Sequence, residues 1–138
     1  MLRRNQKVEL IRGVPLFANL SKRELEEVAS IADEIDFKEG KELIREGARG
    51  REFFVLLDGA VEVTQDGDRI NQLGAGDFFG EIALVLPSCI RTATVTASTP
   101  VEALVVTGQD FRSLLQRAPD IERKVLKAAA ERLGPSGI

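Results

Sequence analysis

Histidine is absent from all 138 residues of the chain, and this absence excludes more chemistry than any other feature. Ser-His-Asp and Cys-His nucleophile systems in their usual forms need an imidazole base. The His-rich metal sites of zinc hydrolases and β-barrel oxygenases need imidazole ligands. Carboxylate and lysine chemistry stays open, so the composition favours a binding module over an enzyme. A single cysteine forbids an intrachain disulfide and is compatible with a reducing compartment. Long apolar runs are missing too: none approaches the ~18 residues of a membrane span. The basic N-terminus (Arg3, Arg4, Lys7) is not followed by the apolar core of a signal peptide. The expectation is a soluble, cytoplasmic protein without direct membrane insertion. Nor is there an excess of positive charge. With 19 basic and 22 acidic residues the net charge is −3, which gives no broad attraction to nucleic acid or anionic membranes.

What is present fits one domain with a modest core. Val8, Leu10, Ile11, Val14, Leu16 and Phe17 supply an apolar segment that predicts a helix ending near Pro15. Ser21-Lys22-Arg23-Glu24 reads as a capping box, with Leu25, Val28, Ala29 and Ala32 following at helical spacing. From Asp33 the texture changes to short apolar runs between glycine-marked turns: 34–37, 42–44, 52–57, 60–64, 69–73, 92–97 and 101–107. Asp58-Gly59 and Asp66-Gly67 are hairpin signals. Helical patterns return at the end. Asp110 is expected to cap one helix, Ala118-Pro119 to break it, and Asp120 to cap a second carrying Ile121, Val125, Leu126, Ala129 and Leu133. The fold class expected is α+β: an antiparallel eight-stranded β-barrel or jelly roll flanked by N-terminal and C-terminal helices. A parallel sheet would need helices between the strands, and none fit. The organisation expected is a single domain over 1–138, with helices over 1–32, the barrel over 33–107 and helices over 108–134.

One stretch concentrates binding chemistry: Phe79-Gly80-Glu81-Ile82-Ala83-Leu84, followed by Arg91-Thr92-Ala93-Thr94-Val95. Gly80 opens what reads as one helical turn, whose free N–H groups seat an anion. Glu81 lies in that first turn, where the helix dipole tolerates a carboxylate. Arg91 opens a β-rich segment with the side chain best shaped for bidentate phosphate contact. An anion seat, a carboxylate suited to a hydroxyl and a guanidinium suited to phosphate fit a sugar phosphate.

Each of these residues has a plainer reading. Arg91 alone would be a surface arginine on an edge strand, and Glu81 an ordinary carboxylate at a helix start. Their shared spacing with Gly80 favours binding. Thr92 is equally a β-branched strand residue. Val125, Leu126, Ala129 and Leu133 read first as core packing. Arg45, Arg49 and Arg51, interleaved with Glu46 and Glu52, read as a solvated loop. Cys89 reads as an incidental small residue rather than a reactive thiol. Gly74-Ala75-Gly76 with Gly80 lacks the spacing and the βαβ context of a dinucleotide fingerprint.

Over nearly its whole length the sequence resembles the cyclic nucleotide-binding domain family, in the form of a bacterial, cAMP-receptor-like barrel without a helix-turn-helix domain. The resemblance rests on Gly40, Gly47, Gly59 and Gly76-Asp77, on Val14-Pro15-Leu16-Phe17, and above all on residues 79–95, which are similar to the family's phosphate-binding cassette. It implies a regulatory module that binds cAMP or cGMP and is not an enzyme, with no other cofactor and no metal. Glu81 would accept a hydrogen bond from the ribose 2′-hydroxyl, and Arg91 would pair with the cyclic phosphate. The backbone of Gly80, Ile82 and Ala83 would complete the anion seat. Thr92, with Ala93 beside it, would lie by the phosphate and within reach of a syn guanine. The helix from Asp120 would be a mobile lid over the base. Two departures stand out. The proline common before the cassette arginine is Ile90 here, in a loop one residue longer than usual. The chain also stops at Ile138, too soon for a helix-turn-helix domain, so DNA is not an expected partner. An effector domain or protein partner is expected but not identified. Two alternatives remain: an interaction barrel with a vestigial, non-binding cassette, and an enzyme on a cupin-like barrel.

Overall fold

Two segments, Glu52–Asp58 and Val101–Thr107, are buried on both faces. Their near-continuous apolar sequences, Phe53-Phe54-Val55-Leu56 and Ala103-Leu104-Val105-Val106, suit that position better than a one-faced alternating strand. Phe53, Val55, Leu104 and Val106 point into a core shared with the helices. Phe54, Leu56, Ala103 and Val105 point into a second core between two sheets. These strands are therefore the partition of the molecule.

The computed structural model describes residues 4–85 and 90–132. In chain order these form α1 (Arg4–Arg12), a 3₁₀ turn (Pro15–Phe17), α2 (Lys22–Ile31), β1 (Ala32–Phe37), β2 (Glu42–Ile44), β3 (Glu52–Asp58), β4 (Val61–Gln65), β5 (Asp68–Leu73), β6 (Phe78–Phe79), α3 (Glu81–Val85), β7 (Thr94–Ala97), β8 (Val101–Thr107), α4 (Gly108–Arg117) and α5 (Pro119–Arg132). The strands make two four-stranded antiparallel sheets, ordered β1-β8-β3-β6 and β2-β7-β4-β5. The architecture is the expected α+β jelly roll, as two facing sheets rather than a closed barrel.

Local chemistry explains several boundaries. Ser21 and Glu24 form the full capping box at the start of α2. Asp66 (φ 52°) and Gly67 (φ 84°) both take positive φ between β4 and β5, the requirement of a type I′ hairpin. The other turn signal has a different use. Asp58-Gly59 joins β3 and β4, which lie in different sheets, so it forms a corner between the layers. A Cβ on Gly59 would lie 2.3 Å from the Pro100 carbonyl oxygen.

Three helix ends differ from expectation. The first helix stops at Arg12, and Pro15 opens a separate 3₁₀ turn. The cap of α4 is Thr107, whose hydroxyl accepts from the Asp110 N–H at 3.2 Å; Asp110 lies inside the first turn. α5 begins at Pro119, with Asp120 in its first turn, because a proline at the first helical position sacrifices an N–H that has no partner anyway. Ile121 and Val125 belong to the helical core, whereas Leu126 is 49 % exposed. Leu133 and the 134–137 stop signal lie outside the described residues, as do Cys89 and the rest of residues 86–89 in the lengthened loop. Phe111 of α4 stacks on Phe53 of β3 at 4.2 Å between ring centroids, fixing α4 to the first sheet.

Candidate functional site

The cassette begins where β6 ends. Phe79 pairs with Phe54 across the ladder and stacks on its ring at 4.9 Å. That fixes the point at which the chain leaves the sheet. Gly80 then takes φ +92°, a conformation open to glycine and strained for other residues. Glu81 follows as the first residue of α3. The underside of α3 rests on two other glycines. A Cβ on Gly50 would stand 2.5 Å from the Ala83 Cβ, and one on Gly108 would stand 3.1 Å from Leu84 Cδ2. Gly50 was not singled out by the sequence, because it marks a close approach and no turn.

Arg91 reaches the same place from the other side. Its backbone is held in the 47–48 turn: the Arg91 N–H donates to the Ala48 carbonyl at 2.8 Å, and the Gly47 N–H donates to the Arg91 carbonyl at 2.9 Å. Arg91 as a whole residue is 6 % exposed. Nη1 donates to the Gly80 carbonyl at 2.8 Å and Nη2 to the Glu52 carbonyl at 2.7 Å. A guanidinium carries five N–H donors, so these bonds orient the fork and leave donors for an anion. Burial lowers the Arg91 pKa from its ordinary value, opposed by the nearby carboxylates of Glu52 and Glu81. The plainer reading of Arg91 as a surface side chain does not hold.

Glu81 is 1 % exposed. Its partner comes from the far end of the chain. Arg132, in the last turn of α5, donates from Nη1 to Oε1 at 2.5 Å and to Oε2 at 2.7 Å. Arg132 Nη2 donates to the Phe78 carbonyl at 2.7 Å, and its guanidinium carbon lies 5.2 Å from the centre of the Phe78 ring. Sequence reasoning missed this residue. A basic side chain in the last turn of a helix is ordinary dipole chemistry, so nothing local marks Arg132 for a site.

All seven residues expected at the site, Gly80, Glu81, Ile82, Ala83, Arg91, Thr92 and Ala93, line one pocket. Its remaining wall is mostly apolar, with Ile44, Val63, Ile70 and Leu73 from the second sheet. Its charged lining residues are Glu81, Arg91 and Arg132, so two guanidiniums against one carboxylate leave one positive charge. Thr92 is partly buried, and its carbonyl accepts from Gln65 Nε2 at 2.9 Å. By contrast, Arg45, Arg49 and Arg51 are exposed, with Arg45 paired to Glu42 at 3.1 Å.

Residues 34–118 match the cyclic nucleotide-binding domain family, and the chain belongs to it. A cyclic nucleotide-gated potassium channel of Rhizobium etli is 36 % identical over 126 residues, covering 91 % of this chain and 35 % of the channel. A cGMP-dependent protein kinase of Caenorhabditis elegans is 37 % identical over 122 residues, covering 83 % of this chain and 16 % of the kinase. Among solved structures, cAMP-bound PfPKA-R superposes with a TM-score of 0.84 at 26 % identity, covering 98 % of this chain and 48 % of that one. The chain thus spans a minor part of the curated relatives it matches, and the shared part is a regulatory nucleotide-binding module rather than a catalytic one. Among the described residues no helix is long and apolar enough to cross a membrane.

Proposed function

We propose that this domain is a sensor for cyclic nucleotides and that its ligand is cAMP. The phosphate sits on the Gly80–Ala83 backbone and Arg91. The ribose 2′-hydroxyl donates to Glu81. Thr92 and Ala93 flank the phosphate, and α5 closes over the base. The observation that carries this reading is the buried Glu81 and Arg91 lining one pocket at the start of α3. A cyclic phosphodiester carries one negative charge, which complements the single positive charge of the lining. The apolar second-sheet wall suits a purine face. The structural likeness to a cAMP-bound protein supports cAMP over cGMP, and the kinase relative makes cGMP the competitor to test.

The mechanism follows from differential contact. A ligand shifts a conformational equilibrium only by its preference for one state. Phosphate and ribose grip the cassette, and α5 reaches the same carboxylate through Arg132. Occupancy of the pocket and the seating of α5 are therefore linked, and the position of α5 is the output. The output acts on an effector domain or partner protein in the cytoplasm.

Thermal unfolding with each nucleotide tests the reading. A ligand at a hundredfold excess over Kd stabilises by about 2.7 kcal/mol, a Tm rise of roughly 5–15 °C. The larger rise is expected with cAMP. No rise with either nucleotide would mean a non-binding cassette.

A further inference from the structure

We infer that Arg132 is the residue that gives this domain its preference for a ribonucleotide over a 2′-deoxyribonucleotide. The inference rests on the reading that Glu81 receives the ribose hydroxyl. It concerns how a residue of α5, outside the cassette, makes Glu81 selective.

Glu81 is an ionisable side chain at 1 % exposure. A buried carboxylate needs compensation, or it turns towards whatever donor is near. Arg132 supplies that compensation in a fixed geometry. Its Nη1 bridges both carboxylate oxygens at 2.5 and 2.7 Å. Its Nη2 is tied to the Phe78 carbonyl at 2.7 Å, and the guanidinium lies against the Phe78 ring. The cation is thus held from three directions and cannot follow the carboxylate if it rotates. A carboxylate offers about four lone-pair sites. Nη1 occupies one on each oxygen, so the ion pair by itself leaves lone pairs for a hydroxyl that reaches the carboxylate from the pocket. Both residues line that pocket. Arg132 therefore aims Glu81 and does not block it. A hydrogen bond to an aimed, ion-paired carboxylate is charge-assisted and about twice as strong as a neutral one.

The consequence is specific to the 2′ position. The proposed phosphate contacts run through Arg91 and the Gly80–Ala83 backbone, whereas the described hydrogen bonds of Arg132 go to the Glu81 carboxylate and the Phe78 carbonyl. Removing Arg132 loosens the hydroxyl acceptor and leaves the anion seat in place. Affinity for a cyclic ribonucleotide falls by more than affinity for its 2′-deoxy counterpart, which shares only the loss of α5 seating over the base. Arg132→Lys keeps the charge without the planar fork that spans two oxygens and a carbonyl, so it retains part of the preference.

Calorimetric titration of wild type, Arg132→Gln and Arg132→Lys with cAMP and 2′-deoxy-cAMP tests this, with circular dichroism confirming that each variant is folded. Wild type is expected to prefer cAMP by about 10–150-fold, the range of one charge-assisted hydrogen bond. Arg132→Gln is expected to lower that ratio at least about fivefold, with the larger loss on cAMP and Arg132→Lys between the two. An unchanged ratio, an equal loss for both nucleotides, or tighter cAMP binding by Arg132→Gln would overturn the inference. Wild type that binds neither nucleotide would overturn the cyclic-nucleotide reading itself, and this inference with it.

Discussion

Arg91 donates from Nη1 to the carbonyl oxygen of Gly80 at 2.8 Å, so the residue that opens the cassette and the residue that follows its loop are directly bonded. The same pair is close enough to be disturbed by one methyl group. A Cβ on Gly80 would lie 3.1 Å from Arg91 Nη1 and 3.0 Å from the Glu52 carbonyl oxygen, which accepts the other arm of the fork. It would also impose a side chain at φ +92°. Gly80→Ala is expected to cost about 1–2 kcal/mol from the backbone alone and to weaken cAMP binding by displacing the guanidinium. Urea unfolding and a cAMP titration measure the two effects; unaltered stability and affinity would contradict this geometry.

Gly50 makes a second close approach, beneath α3. A methyl group there would meet the Ala83 Cβ at 2.5 Å and Arg91 Cζ at 3.3 Å. Overpacking of this kind typically costs about 1–3 kcal/mol. Gly50→Ala is expected to lower both stability and cAMP affinity. Adding Ala83→Gly opens the space again. The double variant should regain affinity while staying less stable than wild type, because glycine inside a helix costs about 1 kcal/mol. A double variant that binds no better than Gly50→Ala would show that the contact is not the cause.

What was legible in the sequence, and what was not, follows from the range of the chemistry. The capping box at Ser21 and Glu24 and the hairpin at Asp66-Gly67 are written in adjacent residues, and both form as read. Gly80, Glu81 and Arg91 share a recognisable spacing, and they meet in one pocket. Arg132 joins Glu81 across a sequence separation of 51 residues, and no local pattern carries that distance. The two-residue β6 has no periodicity to read. Asp58-Gly59 carries hairpin residues yet turns between sheets. A turn dipeptide specifies backbone angles and leaves the partner strand to the packing of β3.

The outer face of the first sheet holds a repulsive row. Asp36 and Asp58 both stand opposite Glu102 in the ladder. The Glu102 pKa is raised, first by burial and then by Glu34, Asp36 and Asp58. A carboxyl whose folded pKa exceeds its unfolded value binds its proton more tightly in the native state. Its contribution therefore opposes stability once pH rises through the folded value, and is absent below the ordinary Glu value of about 4.5. Glu102→Gln is expected to stabilise the protein by about 0.2–1 kcal/mol at pH 7 and to lose that advantage below pH ~4.5, where wild-type Glu102 is protonated in both states. Thermal unfolding of both proteins across this pH range checks the sign. A gain that persists in acid would point to packing instead of charge.

The central claim is that the buried guanidinium of Arg91 binds a cyclic phosphate. Calorimetric titration of wild type and Arg91→Ala with cAMP is the most direct test. Removing one partner of a buried, charged hydrogen-bonded pair costs about 2–5 kcal/mol, so the variant is predicted to bind about 30-fold to several thousand-fold more weakly. A folded Arg91→Ala protein that binds cAMP with wild-type affinity would contradict the claim.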